Sequence, residues 1–348
     1  MTADRPPPTP GSAPRARHGE AIYDTLLMRA DSLADVAALA DAAGIAGTQA
    51  LVEAVPALPL HLGRLRGDAE ALALPWPGNA AVIAAVIACC AAVAPSLRQR
   101  RLSSAEYVRL RLDLYADDEL DPAQAPARSA LATQVRAAGD RVRPPARVTI
   151  GPRLRSAADP LAGCKRAAVA SERMLLRAAQ GRDLDDVLLL DVEGRLSEAT
   201  TSALLISRGG RLYTPCEAAA PLRSTTMALL EALLDPAAGP SPLGAVQRVE
   251  LLPTDLMLAD FALLVNAVAG GRAIASVDGA TLPPPPASLL ATLRDLVAGG
   301  VGARLAVERL RRGSGPAWAQ RAVCLGDAHG ASATTGGVDG ASPGAQIA

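Results

Sequence analysis

Lysine is almost missing from this chain. Of its 35 Lys+Arg residues one is lysine, Lys165, and the rest are arginine. Arginine serves wherever a surface needs positive charge, but guanidinium stays protonated and cannot do the work of an amine. Schiff-base formation, nucleophilic attack and general-base work are reserved for lysine, so this usage alone marks Lys165. Aromatic residues are scarce as well, at 2%, with Phe261 the single phenylalanine. The core must then be built from Ala, Leu and Val, and stacking platforms for bases are few. Formal net charge is +0, which argues against a general nucleic-acid binder. Cysteine is odd in number, at 5, and no C-x-x-C spacing occurs. Neither a disulfide framework nor a zinc site follows, no metal is expected, and a reducing, cytoplasmic home is the default. Residues 1–17 are rich in Pro, Ala and Arg and lack an apolar h-region, unlike a secretory signal. The most apolar run, Ala80 to Ala94, falls short of the ~18–20 residues a membrane span needs. It reads as a buried helix after an Asn79 cap and ending at Pro95, so no membrane partner is expected.

At 348 residues, half of them hydrophobic, the chain can hold one large domain or two ordinary ones. Residues 1–18 are expected to be disordered and 19–116 to form an N-terminal α/β domain. In it, His61 to Leu74 reads as an amphipathic helix stopped by Pro75. Tyr107 to Tyr115 alternates with period two, placing Arg109, Arg111 and Asp113 on one face and Val108, Leu110, Leu112 and Leu114 on the other. Residues 117–146 read as a polar linker or insertion. A second domain follows over 147–300. Its strands are expected at 147–150, 187–191, 196–207, 212–214, 249–252, 262–267 and 273–277, with Glu193-Gly194 a hairpin turn. Its helices are expected at 171–180, 227–234 and 288–297. Residues 301–348 read as a mostly disordered Gly, Ala, Ser and Thr tail. Helices and strands mix without strict βαβ alternation, so the fold class is α+β.

Three pieces line up behind the lone lysine. The first is Leu161-Ala-Gly-Cys-Lys165. The second is Leu188-Leu-Leu-Asp-Val-Glu-Gly-Arg-Leu-Ser-Glu198. The third is Leu212-Tyr-Thr-Pro215, followed by Leu222-Arg-Ser-Thr-Thr226 at a helix start. A Ser/Thr cluster there is by itself an ordinary N-cap, and Glu198 by itself a hairpin carboxylate. Tyr107 and Arg109, on the alternating strand, join them from the first half, with Arg111 and Tyr115 as rivals.

In this order the pieces resemble the class IV, or fold-type-IV, pyridoxal-phosphate enzymes over roughly residues 44–298. That family includes branched-chain and D-amino-acid aminotransferases and aminodeoxychorismate lyases. The resemblance implies a two-domain architecture, pyridoxal 5'-phosphate as cofactor, a small amino-acid-like substrate and a homodimer. It puts Lys165 at the Schiff-base position and Glu198 against the cofactor's ring nitrogen, where a carboxylate keeps that nitrogen protonated. Ser224, Thr225 and Thr226 fall at the phosphate cup, where N–H groups and hydroxyls suit a dianion. Tyr107 and Arg109 fall at a substrate-carboxylate site. His61 falls on the family's His-Leu-x-Arg-Leu helix, as a helix-start or surface residue.

The match departs from the family at several places. Ala57 stands where an arginine reaching the phosphate is expected. Ala170 and Ala203 replace a tyrosine and an asparagine, and Met227 replaces an arginine. The stretch around Asn266, and Leu-Ala-Gly before the lysine, look closer to the lyases. Three functions stay open on this reading: an aminotransferase, a pyruvate-eliminating lyase of the same fold, and a cofactor-free scaffold with a degenerate site.

Overall fold

The computed structural model describes residues 21–38, 45–99, 107–116, 129–138, 142–167, 169–238, 243–327 and 346–347. The first half is built from strand β1 (Ala21–Arg29), helices α1 (Ala30–Ala38), α2 (Ile45–Ala54), α3 (Leu58–Ala71) and α4 (Asn79–Gln99), and strands β2 (Tyr107–Ala116) and β3 (Ser129–Ala137). The second half holds β4 (Ala146–Arg155), α5 (Ala170–Gln180), β5 (Asp186–Asp191), β6 (Leu196–Ala199), β7 (Ala203–Arg208), β8 (Arg211–Pro215), α6 (Thr225–Leu233), β9 (Val246–Val249), α7 (Pro253–Met257), β10 (Phe261–Asn266), β11 (Gly270–Val277) and β12 (Ala280–Thr281). Helices α8 (Ala287–Ala298), α9 (Val301–Arg311) and α10 (Ala317–Asp327) follow, with a short strand β13 (Gln346–Ile347).

The two halves carry separate sheets. One has strand order β1-β2-β3-β13, with β1, β2 and β3 antiparallel. The other runs β6-β5-β4-β11-β10-β7-β8-β9, with β12 on β11, and mixes parallel and antiparallel pairs. This is the α+β architecture expected from the mixed element order. The period-two pattern of β2 decides how the first sheet sits. Val108, Leu110, Leu112 and Leu114 are at most 1% exposed against the helical layer, so Arg109, Arg111 and Asp113 turn to the opposite face. Val82, Val86, Cys89, Cys90 and Val93 recur at helical spacing on α4 and fill the same core. Among the described residues no helix is long and apolar enough to cross a membrane.

Five readings from the sequence are corrected. The 117–146 segment is not all linker: β3 lies inside it and pairs with β2 from Val108 opposite Ala137 to Ala116 opposite Ser129. Its small residues gave no apolar alternation, and the ladder with β2 supplies what side-chain pattern did not. The 301–348 segment is not mostly tail, because α9 and α10 occupy much of it. Ala303, Ala306, Val307 and Leu310, then Ala319, Ala322 and Val323, are buried at three- and four-residue steps. Alanine-rich helices of this kind resemble low-complexity sequence, yet α10 packs tightly on α3. A Cβ added at Gly63 would lie 2.2 Å from the Cβ of Ala322. Helix α4 continues through Pro95 to Gln99. The returning strand at 196–207 breaks into β6 and β7 around Thr200, Thr201 and Ser202. The 249–252 strand lies earlier, as β9, because Pro253 opens α7. The expected disorder at 1–18 lies outside the described residues.

Candidate functional site

The Lys165 segment is stitched to the edge of the first sheet. Tyr23 N–H donates to the Lys165 carbonyl at 3.0 Å, and Ala167 N–H donates to the Ala21 carbonyl at 2.7 Å. Asp68, buried on α3, fixes the same stretch from below: its Oδ2 accepts the Lys165 main-chain N–H at 2.9 Å. Held this way, the Lys165 amine sits 4.7 Å from the centre of the Tyr23 ring. It faces a cleft of about 920 Å³ between the two sheets.

Glu198 reaches this cleft from β6. It is 9% exposed, and its Oε1 lies 2.8 Å from the Arg155 guanidinium while Oε2 accepts the Leu222 N–H at 3.2 Å. Burial pushes the Glu198 carboxyl above the usual range, and Arg155, the Leu222 N–H and the nearby Lys165 pull the other way. Arg155 stands at the end of β4 and is also within 3.8 Å of Glu172.

The third wall is the start of α6. Ser224 has extended backbone and caps the helix, its hydroxyl accepting the Met227 N–H at 3.3 Å. Ser224 and Thr225 line the cleft. Arg64 joins them from α3, its Nη1 donating to the Arg223 carbonyl at 2.7 Å. Arg64 is itself held by a two-point pair to Asp24, at 2.9 and 2.6 Å, and Asp24 also meets His61 Nδ1 at 2.8 Å. Burial alone would raise the Asp24 pKa, but Arg64 and His61 hold it well below the usual carboxylate range. His61 is therefore a buried partner of Asp24, 4% exposed, and not a surface residue.

The structure thus brings Lys165, Glu198, Ser224, Thr225 and Arg109 to one cleft. Two expected members stand elsewhere. Thr226 is buried and lines a small separate cavity with Ala57 and His61. Tyr107, at the far end of β2 opposite Arg29, stacks with that arginine at 5.9 Å and is absent from the cleft wall. Tyr23 and Tyr115 line the cleft instead. Arg64 and Arg155 were missed from sequence. Arg64 had a signal: it stands three residues after His61, which puts both on one helix face. Asn266 closes the floor, donating to the Ser202 hydroxyl at 3.0 Å and accepting the Val268 and Ala269 N–H groups.

The geometry can be set beside known proteins. The family model for class IV amino-transferases matches residues 52–277. No curated protein matches the sequence. Among solved structures, a hypothetical aminotransferase from Mycobacterium tuberculosis with α-ketoglutarate and PMP bound superposes with a TM-score of 0.63. It is 24% identical over 81% of this chain and 90% of its own. A branched-chain aminotransferase from Thermoproteus uzoniensis gives 0.61 at 18% identity, over 83% and 89%. A protein assigned as a 4-amino-4-deoxychorismate lyase from Legionella pneumophila gives 0.62 at 19% identity, over 80% and 91%. At these identities the likenesses speak for the fold.

Proposed function

The chain belongs to the class IV aminotransferase family, and on that premise we propose that its cleft carries pyridoxal-phosphate-dependent amino-group transfer on a small amino-bearing carboxylate, with Lys165 as the attachment point. The support is one observation: Lys165, Glu198 and the N-terminus of α6 converge on the same cleft.

The residues present fit the cofactor. The free N–H groups at the start of α6, the Thr225 hydroxyl and the Arg64 guanidinium suit a phosphate dianion. Glu198 suits a protonated ring nitrogen, and the Lys165 amine suits an aldehyde carbon. When bound, pyridoxal phosphate supplies an electron sink for a carbanion at the substrate's Cα. Everything else falls to the chain. Lys165 moves the proton at Cα, because its amine is the basic group facing the cleft that can both lose and regain one. Arg155 holds Glu198 in place and works against the burial that raises its pKa. Arg109, on the polar face of β2, meets the substrate carboxylate. The Ser202–Asn266 contact keeps the loop between β6 and β7 against the cleft floor.

A second reading, pyruvate elimination, is favoured by Leu161-Ala162-Gly163 ahead of the lysine. The working form is taken as a homodimer in the cytoplasm, in keeping with five free cysteines. Titrating the purified protein with pyridoxal phosphate should produce a visible absorbance band absent from a Lys165→Arg variant. Parallel assays of amino transfer and pyruvate release then separate the two reactions. No band in the wild type would overturn both.

A further inference from the structure

Tyr23 holds Lys165 at both ends. Its main-chain N–H donates to the Lys165 carbonyl at 3.0 Å, and the lysine stem folds back so that the amine stands 4.7 Å from the centre of the Tyr23 ring. The flanking residues fix this alignment. Ile22 forms an antiparallel bridge with Arg166, and Ala167 N–H donates to the Ala21 carbonyl at 2.7 Å. Among the described residues no carboxylate lies within ion-pair distance of the amine. Glu198 is near enough to feel its charge, but both Glu198 oxygens are already engaged, one by Arg155 and one by the Leu222 N–H. The aromatic face is the partner that the fold gives this amine.

The ring is itself braced. Tyr23 on β1 lies directly opposite Asp113 on β2. Arg111, two residues earlier on the same face, makes a forked pair with Asp113 at 2.6, 2.8 and 2.9 Å. Its guanidinium carbon lies 3.9 Å from the centre of the Tyr23 ring. Burial works against the Arg111 charge, and Asp113 more than restores it. Two bare cations on one ring would repel, but the Asp113 carboxylate neutralises one of them. What remains is a planar guanidinium stacked on the ring and an ammonium inside the roughly 6 Å over which a ring face attracts a cation.

Taking Lys165 as the attachment point, as proposed above, we infer that Tyr23 is a positioning residue whose ring seats the Lys165 amine whenever that amine is not bonded to the cofactor, with Arg111 and Asp113 bracing the seat. Without a seat, the flexible lysine stem would range across a cleft of about 920 Å³. The seat and the bond to the cofactor aldehyde compete for one nitrogen. The ring therefore favours the released lysine, the form free to move a proton at Cα. It also keeps the amine away from Glu198, whose place is at the cofactor's ring nitrogen.

The test exploits the single lysine. Full-length protein grown on isotope-labelled lysine gives one set of lysine side-chain NMR signals. In the cofactor-free wild type the Lys165 Hε protons should stand upfield of their position in the urea-unfolded chain, because they lie near an aromatic face. Tyr23→Phe should keep that displacement, and Tyr23→Leu should lose it. A second arm compares binding of pyridoxal phosphate, which bonds to the lysine, with binding of pyridoxamine phosphate, which does not. Tyr23→Leu should shift the ratio of the two affinities toward pyridoxal phosphate by about tenfold, the scale of one cation–ring contact. Tyr23→Phe should leave the ratio at its wild-type value. A merely structural role for Tyr23 would weaken both compounds alike. An undisplaced signal in the wild type, or one ratio shared by all three proteins, would overturn the inference. A chain that binds neither compound yet shows the displaced signal would count against the proposed reaction and leave the seat standing.

Discussion

Asp68 joins Lys165 to Arg223. One carboxylate oxygen accepts the Lys165 main-chain N–H at 2.9 Å, and the other lies 2.7 Å from the Arg223 guanidinium. Arg223 immediately precedes the cap of α6, and its carbonyl accepts from Arg64. A single buried acid on α3 therefore sets the lysine segment and the start of α6 relative to each other.

That link predicts an effect on cofactor retention. Asp68→Ala leaves the Lys165 N–H and Arg223 without partners and should weaken pyridoxal-phosphate binding by about tenfold or more, the scale of lost charged hydrogen bonds. Asp68→Asn keeps one acceptor and should be milder. Equilibrium titration of the absorbance band measures both. Wild-type affinity in the alanine variant would mean that the two segments are placed independently.

Arg64 is predicted to act through phosphate. Arg64→Lys keeps the charge but loses the planar fork that spans Asp24 and the Arg223 carbonyl. Affinity for pyridoxal phosphate should fall by roughly tenfold, while affinity for pyridoxal, which has no phosphate, should stay put. Equal losses for both compounds would assign Arg64 a purely structural task.

For Glu198 the charge matters more than the shape. Glu198→Gln preserves volume and a polar contact, so cofactor should still load. Exchange of the substrate's Cα hydrogen with solvent deuterium should slow on the order of a hundredfold, as for loss of one electrostatic group at a reacting centre. Exchange at the wild-type rate would reduce Glu198 to a partner of Arg155.

The acid limb of stability should belong in part to Asp24. Its folded pKa is depressed below the reference value of 3.8, so its contribution is complete above that value and is lost as pH falls below it. Asp24→Asn leaves Arg64 buried without its counter-charge, which should cost about 3–5 kcal/mol at neutral pH. The variant's stability should also decline less between pH 5 and 3 than that of the wild type. Denaturant unfolding across that range reads both effects, and parallel declines would assign the acid sensitivity elsewhere.

The parts of the site that were legible in sequence were those with a chemical reason to be rare or ordered. Lys165 stood out because arginine could not replace it, and Glu198 and Ser224 followed from their order behind it. Period two in β2 correctly turned Arg109 and Arg111 to one face. What escaped had no local pattern. Arg155 is one arginine among many, and only the β6-β5-β4 order of the second sheet brings it to Glu198. Arg136, which lines the cleft from β3, was hidden with that whole strand, whose small residues gave no alternation and whose order depends on β2. Tyr107 shared a face with Arg109, but strand length carries it past the cleft to Arg29. The α9 and α10 helices were masked by alanine and glycine, residues that look like linker until Gly63 provides the space to pack against.

The most direct test of the central claim is chemical. Wild-type protein is loaded with pyridoxal phosphate, reduced with borohydride, digested and mapped by mass. The pyridoxyl group should be found on the peptide containing Lys165, in about one equivalent per chain for a single attachment point, and the Lys165→Arg variant should carry none there. Label confined to the N-terminal amine, or an equal yield from the variant, would contradict the assignment of Lys165.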